Sequence, residues 1–417
     1  MLYIHPFCSS HDLPQQVGTT DIHYIYSMMR SNARRTAFLL IGLAAQASTT
    51  GATNARNLTY LAGDPGQRCM DGTPSGYYFH KGKGDGAKKW VLTLQGGGEC
   101  VKKSSCDIKA KSALGSSHYF PKTYAFFSEA ADHFSDASCK GNPVLCDYNQ
   151  VFLPYCSQDL WSGTKTDADA TTYGYLFSGH LIFSAVLDAL DAAEGMKDAT
   201  EIVLTGDSAG GFGVYNNVDW LAARYSSARV VGAPIAGFEF YAWPYRGPGH
   251  TSSSLADFSY SAMSGGAYNK LWGSMVPTKC AAAKASEPGA CLLPGFSYAH
   301  IDTPLFIIEA QSDSVVLMYH DWVPQIKKKS QVTAPLVKYF SEFQKNQSQF
   351  LASAMSSTSV NGVFNPSCFI HTKFDKSITI AGLNYLEAFL QWKNGSKVKL
   401  MDTCADGAVL CNPSCPL

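Results

Sequence analysis

Five stretches of the chain are apolar runs that close on glycine or small polar residues. They are WVLTLQGGGEC at 90–100, VFLPYCSQD at 151–159, EIVLTGDSAGG at 201–211, RVVGAPIAG at 229–237 and PLFIIEAQSD at 304–313. Runs without in-out alternation are the pattern of strands buried on both faces. Between the second and third runs, Leu181, Ile182, Ala185, Val186, Ala189 and Leu190 recur at helical spacing. A second helix is predicted after Ser208, through VYNNVDWLAARY. Strands alternating with helices predict an α/β chain with a mostly parallel, doubly wound sheet. The interval 238–300 is rich in Ser, Gly, Pro and aromatic residues. It reads as a loop-rich insertion into a single α/β domain spanning 48–417.

Charge narrows the partners. Lys and Arg total 33, Asp and Glu total 33, and no long like-charge run occurs. No net field therefore recruits nucleic acid or an acidic membrane, and a small or neutral ligand is expected. Thirteen cysteines without a paired CxxC arrangement suit an oxidising compartment better than a zinc site. Arg30, Arg34 and Arg35, an apolar segment near Ala37–Ala45, and Ala45-Gln46-Ala47 follow one another as a signal peptide does. That segment is too short to span a bilayer. Residues 1–27 resemble neither signal nor domain, so translation is expected to start at Met28 or Met29 and residues 1–47 to be absent from the secreted chain. Cys8 then leaves, and the remaining twelve cysteines can form six disulfides, including a stapled tail at Cys404, Cys411 and Cys415. Asn57-Leu-Thr, Asn346-Gln-Ser and Asn394-Gly-Ser are sequons compatible with secretion. The secreted chain is expected to be a monomer.

The candidate chemistry centres on Gly206-Asp207-Ser208-Ala209-Gly210, a G-x-S-x-G between a predicted strand and a predicted helix. Such a turn is sharp, and its serine is pushed into the open by a strained backbone. A phosphate cradle fits less well. The G-K-[ST] ending is missing, and no acidic residue closes a second strand about 20 residues on. A serine nucleophile needs an acid and then a histidine later in the chain. Asp313 stands just past the run LFIIEA, and His371 lies late, in NPSCFIHTKF, with Cys368 as a tether for its loop. Asp302 and His300 precede their strand, His320 and Asp321 lie on an expected helix start, His250 sits in the insertion, and His118 and His180 precede the nucleophile. Backbone amides must also face the developing oxyanion. Ala209 offers one, and the three-glycine turn in LQGGGEC offers those of Gly98 and Glu99.

RCMDGTPSGYYFHKGKGDGAKKWVLTLQGGGEC, YCSQDLWSG, LTGDSAGGFG, SCFIHTKF and LCNPSCP together resemble the pectin acetylesterase and Notum family of secreted carboxylesterases, in order from Cys69 to the terminus. The resemblance implies an α/β-hydrolase fold. It carries the family's triad onto Ser208, Asp313 and His371 and its oxyanion amides onto Gly98, Glu99 and Ala209, with no metal and no organic cofactor. One position departs: the family usually has an aromatic residue where Glu99 stands. The family's substrates imply an acetylated polysaccharide or an acylated protein as partner, with no nucleic acid and no stable membrane insertion. Glu99 favours acetyl, because a carboxylate beside a long alkyl chain is costly to bury. A non-catalytic extracellular binding protein that keeps the fold is the alternative of another class.

Overall fold

The structure, a computed structural model, describes residues 56–124, 142–251 and 267–417 apart from 63 and 406, together with 134 and 139. The expected signal segment 28–47, residues 1–27 and Cys8 lie outside the described residues.

Among the described residues ten strands form one sheet, in the order β10-β9-β8-β7-β6-β3-β5-β2-β1-β4. Its centre is parallel: β5 (Asn149–Leu153), β3 (Lys89–Leu94), β6 (Glu201–Asp207), β7 (Arg229–Ile235), β8 (Phe306–Ile308), β9 (Gly362–Asn365) and β10 (Lys399–Met401). The five apolar runs supply β3, β5, β6, β7 and β8. Their continuous hydrophobicity follows from burial on both sides. Leu92, Ile202 and Leu204 enter one core, which also receives Ile182, Phe183 and Val186 of α2 (Gly179–Ala193) and Val214, Val218 and Leu221 of α3 (Ala209–Arg224). Val91, Val203 and Val231 point the other way, into a core with Tyr385, Phe389 and Trp392 of the carboxy-terminal helix Tyr385–Lys393. Helices thus cover both faces, as the doubly wound pattern requires.

Three strands at one edge, β1 (Arg56–Tyr60), β2 (Gly76–His80) and β4 (Thr123–Tyr124), are antiparallel and fall outside the apolar runs. β1 reads RNLTY and is mostly half-buried or exposed, so hydrophobicity does not mark it. β3 has β5 on one side and β6 on the other, so the strand order reverses there. Open α/β sheets hold ligands in the crevice beyond the carboxyl ends of strands at such a point.

Twelve cysteines pair as Cys69–Cys156, Cys100–Cys106, Cys139–Cys146, Cys280–Cys291, Cys368–Cys415 and Cys404–Cys411. Between β7 and β8 the described chain carries short helices at Ala267–Trp272, Thr278–Ala283 and Pro294–Ser297, with Cys280–Cys291 tying the second of them to the turn Pro288–Leu292.

Candidate active site

Ser208 occupies the single residue between β6 and α3, with φ 54° and ψ −122°. A non-glycine residue there is strained, and its neighbours explain how the strain is held. A Cβ on Gly206 would lie 2.7 Å from the Leu94 carbonyl oxygen, and one on Gly210 would run into the same oxygen. Only glycines let β6 and α3 close this tightly on β3. The Ser208 N–H donates to Ile235 of β7 at 2.9 Å, which pins the turn from the other side. The side chain makes no capping bond to the helix it precedes and is left half-exposed.

Asp313 lies beyond β8 and is buried. One carboxylate oxygen, Oδ1, accepts the N–H groups of Val315 and Val316 at 2.9 and 3.1 Å. The other, Oδ2, is 2.6 Å from His371 Nδ1. His371 sits in the loop after β9, which Cys368–Cys415 ties to the tail and which the Ser314 N–H joins through the Ile370 carbonyl at 3.0 Å. With Nδ1 committed to Asp313, Nε2 is the nitrogen open to a reacting group. Burial pulls the imidazole's pKa down, but Asp313, and then Glu239 and Asp207, outweigh it and raise it above the ordinary value. Asp207 immediately precedes Ser208, so the serine turn and the imidazole share one electrostatic site.

This sets a pH dependence. As the candidate base, His371 would work only when neutral, and a raised pKa keeps it protonated to higher pH. The acid limb of kcat/KM is therefore expected above 6.5, the ordinary imidazole value from which this group is raised. Rate measurements from about pH 4.5 to 9.5 check it; a half-maximal point below the ordinary imidazole value would contradict it.

The loop after β3 lies against the serine: a Cβ on Gly96 would stand 3.0 Å from Ser208 Cβ. Gly97 and Gly98 have φ of 150° and 72°, conformations that a side chain resists. The N–H groups of Gly98 and Glu99 donate to no backbone acceptor among the described residues. The Ala209 N–H opens a helix and has no acceptor in the preceding turn. Three features brace the loop. Cys100–Cys106 closes it onto α1 (Lys103–Lys109). Lys109 Nζ donates to the Gly97 carbonyl at 2.7 Å. From YCSQDLWSG, Trp161 Nε1 donates to the Gln95 carbonyl at 3.0 Å. Within that motif, the buried Asp159 accepts the Gly179 and Trp161 N–H groups at 2.7 and 3.1 Å.

A group of ionisable side chains adjoins this loop. Burial pushes the Glu99 carboxyl up; His320 and Lys109 pull it down, and Glu239 adds to the rise. His320 Nδ1 lies 3.3 Å from Glu239 Oε2. Burial works against the His320 charge, yet Glu239 and then Glu99 and Asp321 raise its pKa to about 9. Glu239 acts on Glu99, His320 and His371 alike, so the carboxylates and histidines form one cluster. Among the described residues, Cys139, Cys146 and Asp147 have the spacing of metal ligands, but the two cysteines are bonded to each other, which leaves no thiolate.

Residues 49–416 match the Pectinacetylesterase family. The chain belongs to that family. It is 29% identical to pectin acetylesterase 5 of Arabidopsis thaliana over 86% of this chain and 84% of the relative. It is 28% identical to palmitoleoyl-protein carboxylesterase notum1' of Xenopus laevis, over 84% of this chain and 72% of that one. Among solved structures, the Wnt deacylase Notum from Drosophila superposes with a TM-score of 0.73 at 26% identity, covering 87% of this chain and all of that one. The protein is a carboxylic ester hydrolase with an α/β-hydrolase-like fold.

The other histidines of this esterase are placed elsewhere or otherwise engaged. His118 and His250 are exposed, and His250 only meets the Gly247 carbonyl of its own turn at 3.2 Å. His180 is buried between Asn217, at 2.8 Å, and the edge of Trp220. Asp302 is exposed and paired with Lys279. His320 and Asp321 close one helical turn, Val316–His320, whose start Asp313 caps. Reading the sequence sets His320 aside and does not single out Lys109, Glu239 or Glu309. No motif marks these residues; they matter because distant segments bury them against one another.

Proposed function

We propose that this esterase is a secreted serine enzyme that removes short acyl groups, foremost acetyl, from a hydrated polysaccharide. The proposed cycle uses Ser208, Asp313 and His371. His371 takes the Ser208 proton as the oxygen attacks the ester carbonyl, and Asp313 holds the imidazole and stabilises its charged form. The amides of Gly98, Glu99 and Ala209 receive the oxyanion. His371 then protonates the departing sugar oxygen, which leaves as the hydroxyl; water, deprotonated by the same imidazole, attacks the acyl-enzyme, and the proton returns to Ser208 as the acid leaves. Six disulfides support an oxidising, extracellular setting. Among the described residues, no helix is long and apolar enough to cross a membrane.

The observation that carries the substrate is the cluster of polar, ionisable side chains Glu99, Glu239 and His320 beside the loop after β3. An alkyl chain laid against these groups would strip their water without replacing its hydrogen bonds. In an apolar channel each added methylene contributes about 0.8 kcal/mol, so six of them from acetate to octanoate would favour the longer ester strongly. A wall of polar side chains removes that gain, while an acetyl methyl touches little of it.

On p-nitrophenyl esters, kcat/KM is expected to fall by roughly tenfold or more between butyrate and octanoate. A rate rising through octanoate would overturn this reading. It would favour deacylation of a lipid-modified protein, the activity that the names of the Notum relatives carry.

A further inference from the structure

The peptide unit that joins Gly97 to Gly98 carries the Gly97 carbonyl on one edge and the Gly98 N–H on the other. A planar trans peptide points these two groups in opposite directions. Both flanking residues are glycines, with φ of 150° and 72°, so no side chain fixes the plane of the unit. A flip would exchange the two directions and put a carbonyl oxygen where an N–H had been, and such an oxygen repels an oxyanion. An outside group has to select the orientation.

Lys109 is that group. Its Nζ donates to the Gly97 carbonyl at 2.7 Å and would stand 3.7 Å from a Cβ on Gly98. A lysine ammonium has three donors and no acceptor, so it can bond the carbonyl edge of the unit and never the N–H edge. The carbonyl therefore faces the lysine and the Gly98 N–H faces away from it, where it donates to no backbone acceptor among the described residues. Gln158 Nε2 lies 3.5 Å from the same oxygen, too far to make the selection alone. Lys109 is the last residue of α1, and Cys100–Cys106 ties that helix to the loop, so the donor and the peptide it bonds are held as one piece. A hydrogen bond accepted at the carbonyl oxygen also polarises the unit and makes its N–H a stronger donor.

We propose that Lys109 is a positioning residue for the oxyanion site: its bond to the Gly97 carbonyl holds the Gly97–Gly98 peptide with the N–H turned to the acyl oxygen and strengthens that N–H as a donor. The inference rests on the reading, given under Proposed function, that Ser208 attacks the ester and that the Gly98 amide receives the oxyanion. Lys109 itself touches no reacting atom. It acts through one peptide bond, and its effect belongs to the tetrahedral state, in which the oxygen carries charge, more than to the bound ester.

The test measures kcat and KM for p-nitrophenyl acetate, the inhibition constant of a trifluoromethyl ketone and the melting temperature, for the full-length enzyme and for Lys109→Met, Lys109→Gln, Lys103→Met and Ser208→Ala. The ketone adds the serine oxygen to its carbonyl carbon, and the oxygen of the adduct takes the place of the oxyanion. Lys109→Met keeps the length of the side chain and removes the donor. It is expected to lower kcat by about 10- to 100-fold, with KM little changed, and to weaken the ketone by the same factor. Lys103 lies on the same helix, exposed and paired with Asp107 at 2.7 Å, so Lys103→Met removes an equal charge from α1. It is expected to leave kcat and ketone affinity within about twofold of the parent. If the methionine variant does not fold, Lys109→Gln decides on the same readouts, since its shorter, neutral side chain withdraws the ammonium from the Gly97 carbonyl. A folded Lys109 variant with the parent's kcat, or one whose kcat falls while ketone affinity stays, overturns the proposal and leaves the serine reading standing. Turnover retained by Ser208→Ala overturns the serine reading, and this inference with it.

Discussion

Ser208→Ala is expected to lower kcat by roughly 10⁴-fold or more while the folded protein persists. The serine oxygen makes no capping bond to α3, and its backbone is held by the Ile235 carbonyl and by the glycines that close on Leu94, none of which the substitution touches. The melting temperature should therefore stay close to that of the parent. His371→Ala should cost about as much, and the double variant little more, because the members of such a unit fail together. Asp313→Asn keeps the position but disturbs the hydrogen bond that orients the imidazole, and is expected to lose somewhat less. Titration with a fluorophosphonate probe checks the assignment directly. The parent should label once and the Ser208→Ala variant not at all. A labelled variant would move the nucleophile elsewhere; a folded parent that never labels would favour a non-catalytic binding role.

Replacing both Cys368 and Cys415 by alanine is expected to lower stability by about 4 kcal/mol, from the loop entropy released over a sequence separation of 47. The same reasoning gives about 2 kcal/mol for Cys100–Cys106, whose separation is 6. The two pairs also act on different parts of the site. Cys368 lies three residues before His371 and anchors its loop to the tail, so turnover should fall even at temperatures where the variant stays folded. Denaturant unfolding with kcat measured alongside tests both claims. Equal destabilisation by the two removals, or full activity in the folded Cys368→Ala/Cys415→Ala variant, would contradict them.

The central strands and their helices are readable along the chain because burial on both faces writes itself as uninterrupted apolar runs. β6, with Ile202 to Gly206 buried, is of this kind. The antiparallel edge is not, since β1 meets water along much of its length and needs little hydrophobicity. The turn at Ser208 is likewise readable from a few residues. Its requirements are backbone ones, a φ of 54° and two glycines against one carbonyl, and these are met locally. Asp313 and His371 can be nominated from chain order, but their 2.6 Å contact joins residues 58 apart.

What the sequence by itself determined is the doubly wound sheet, the serine turn and a set of candidate partners, because strand burial and turn geometry depend on near neighbours. What only the tertiary structure decided is the electrostatic identity of the site. Lys109 under the Gly97 carbonyl and Glu239 against His320 come from separate segments, and none is marked by its own surroundings in the chain. A carboxyl or an imidazole changes character when water is removed and another charge is brought close. Both conditions are created by folding.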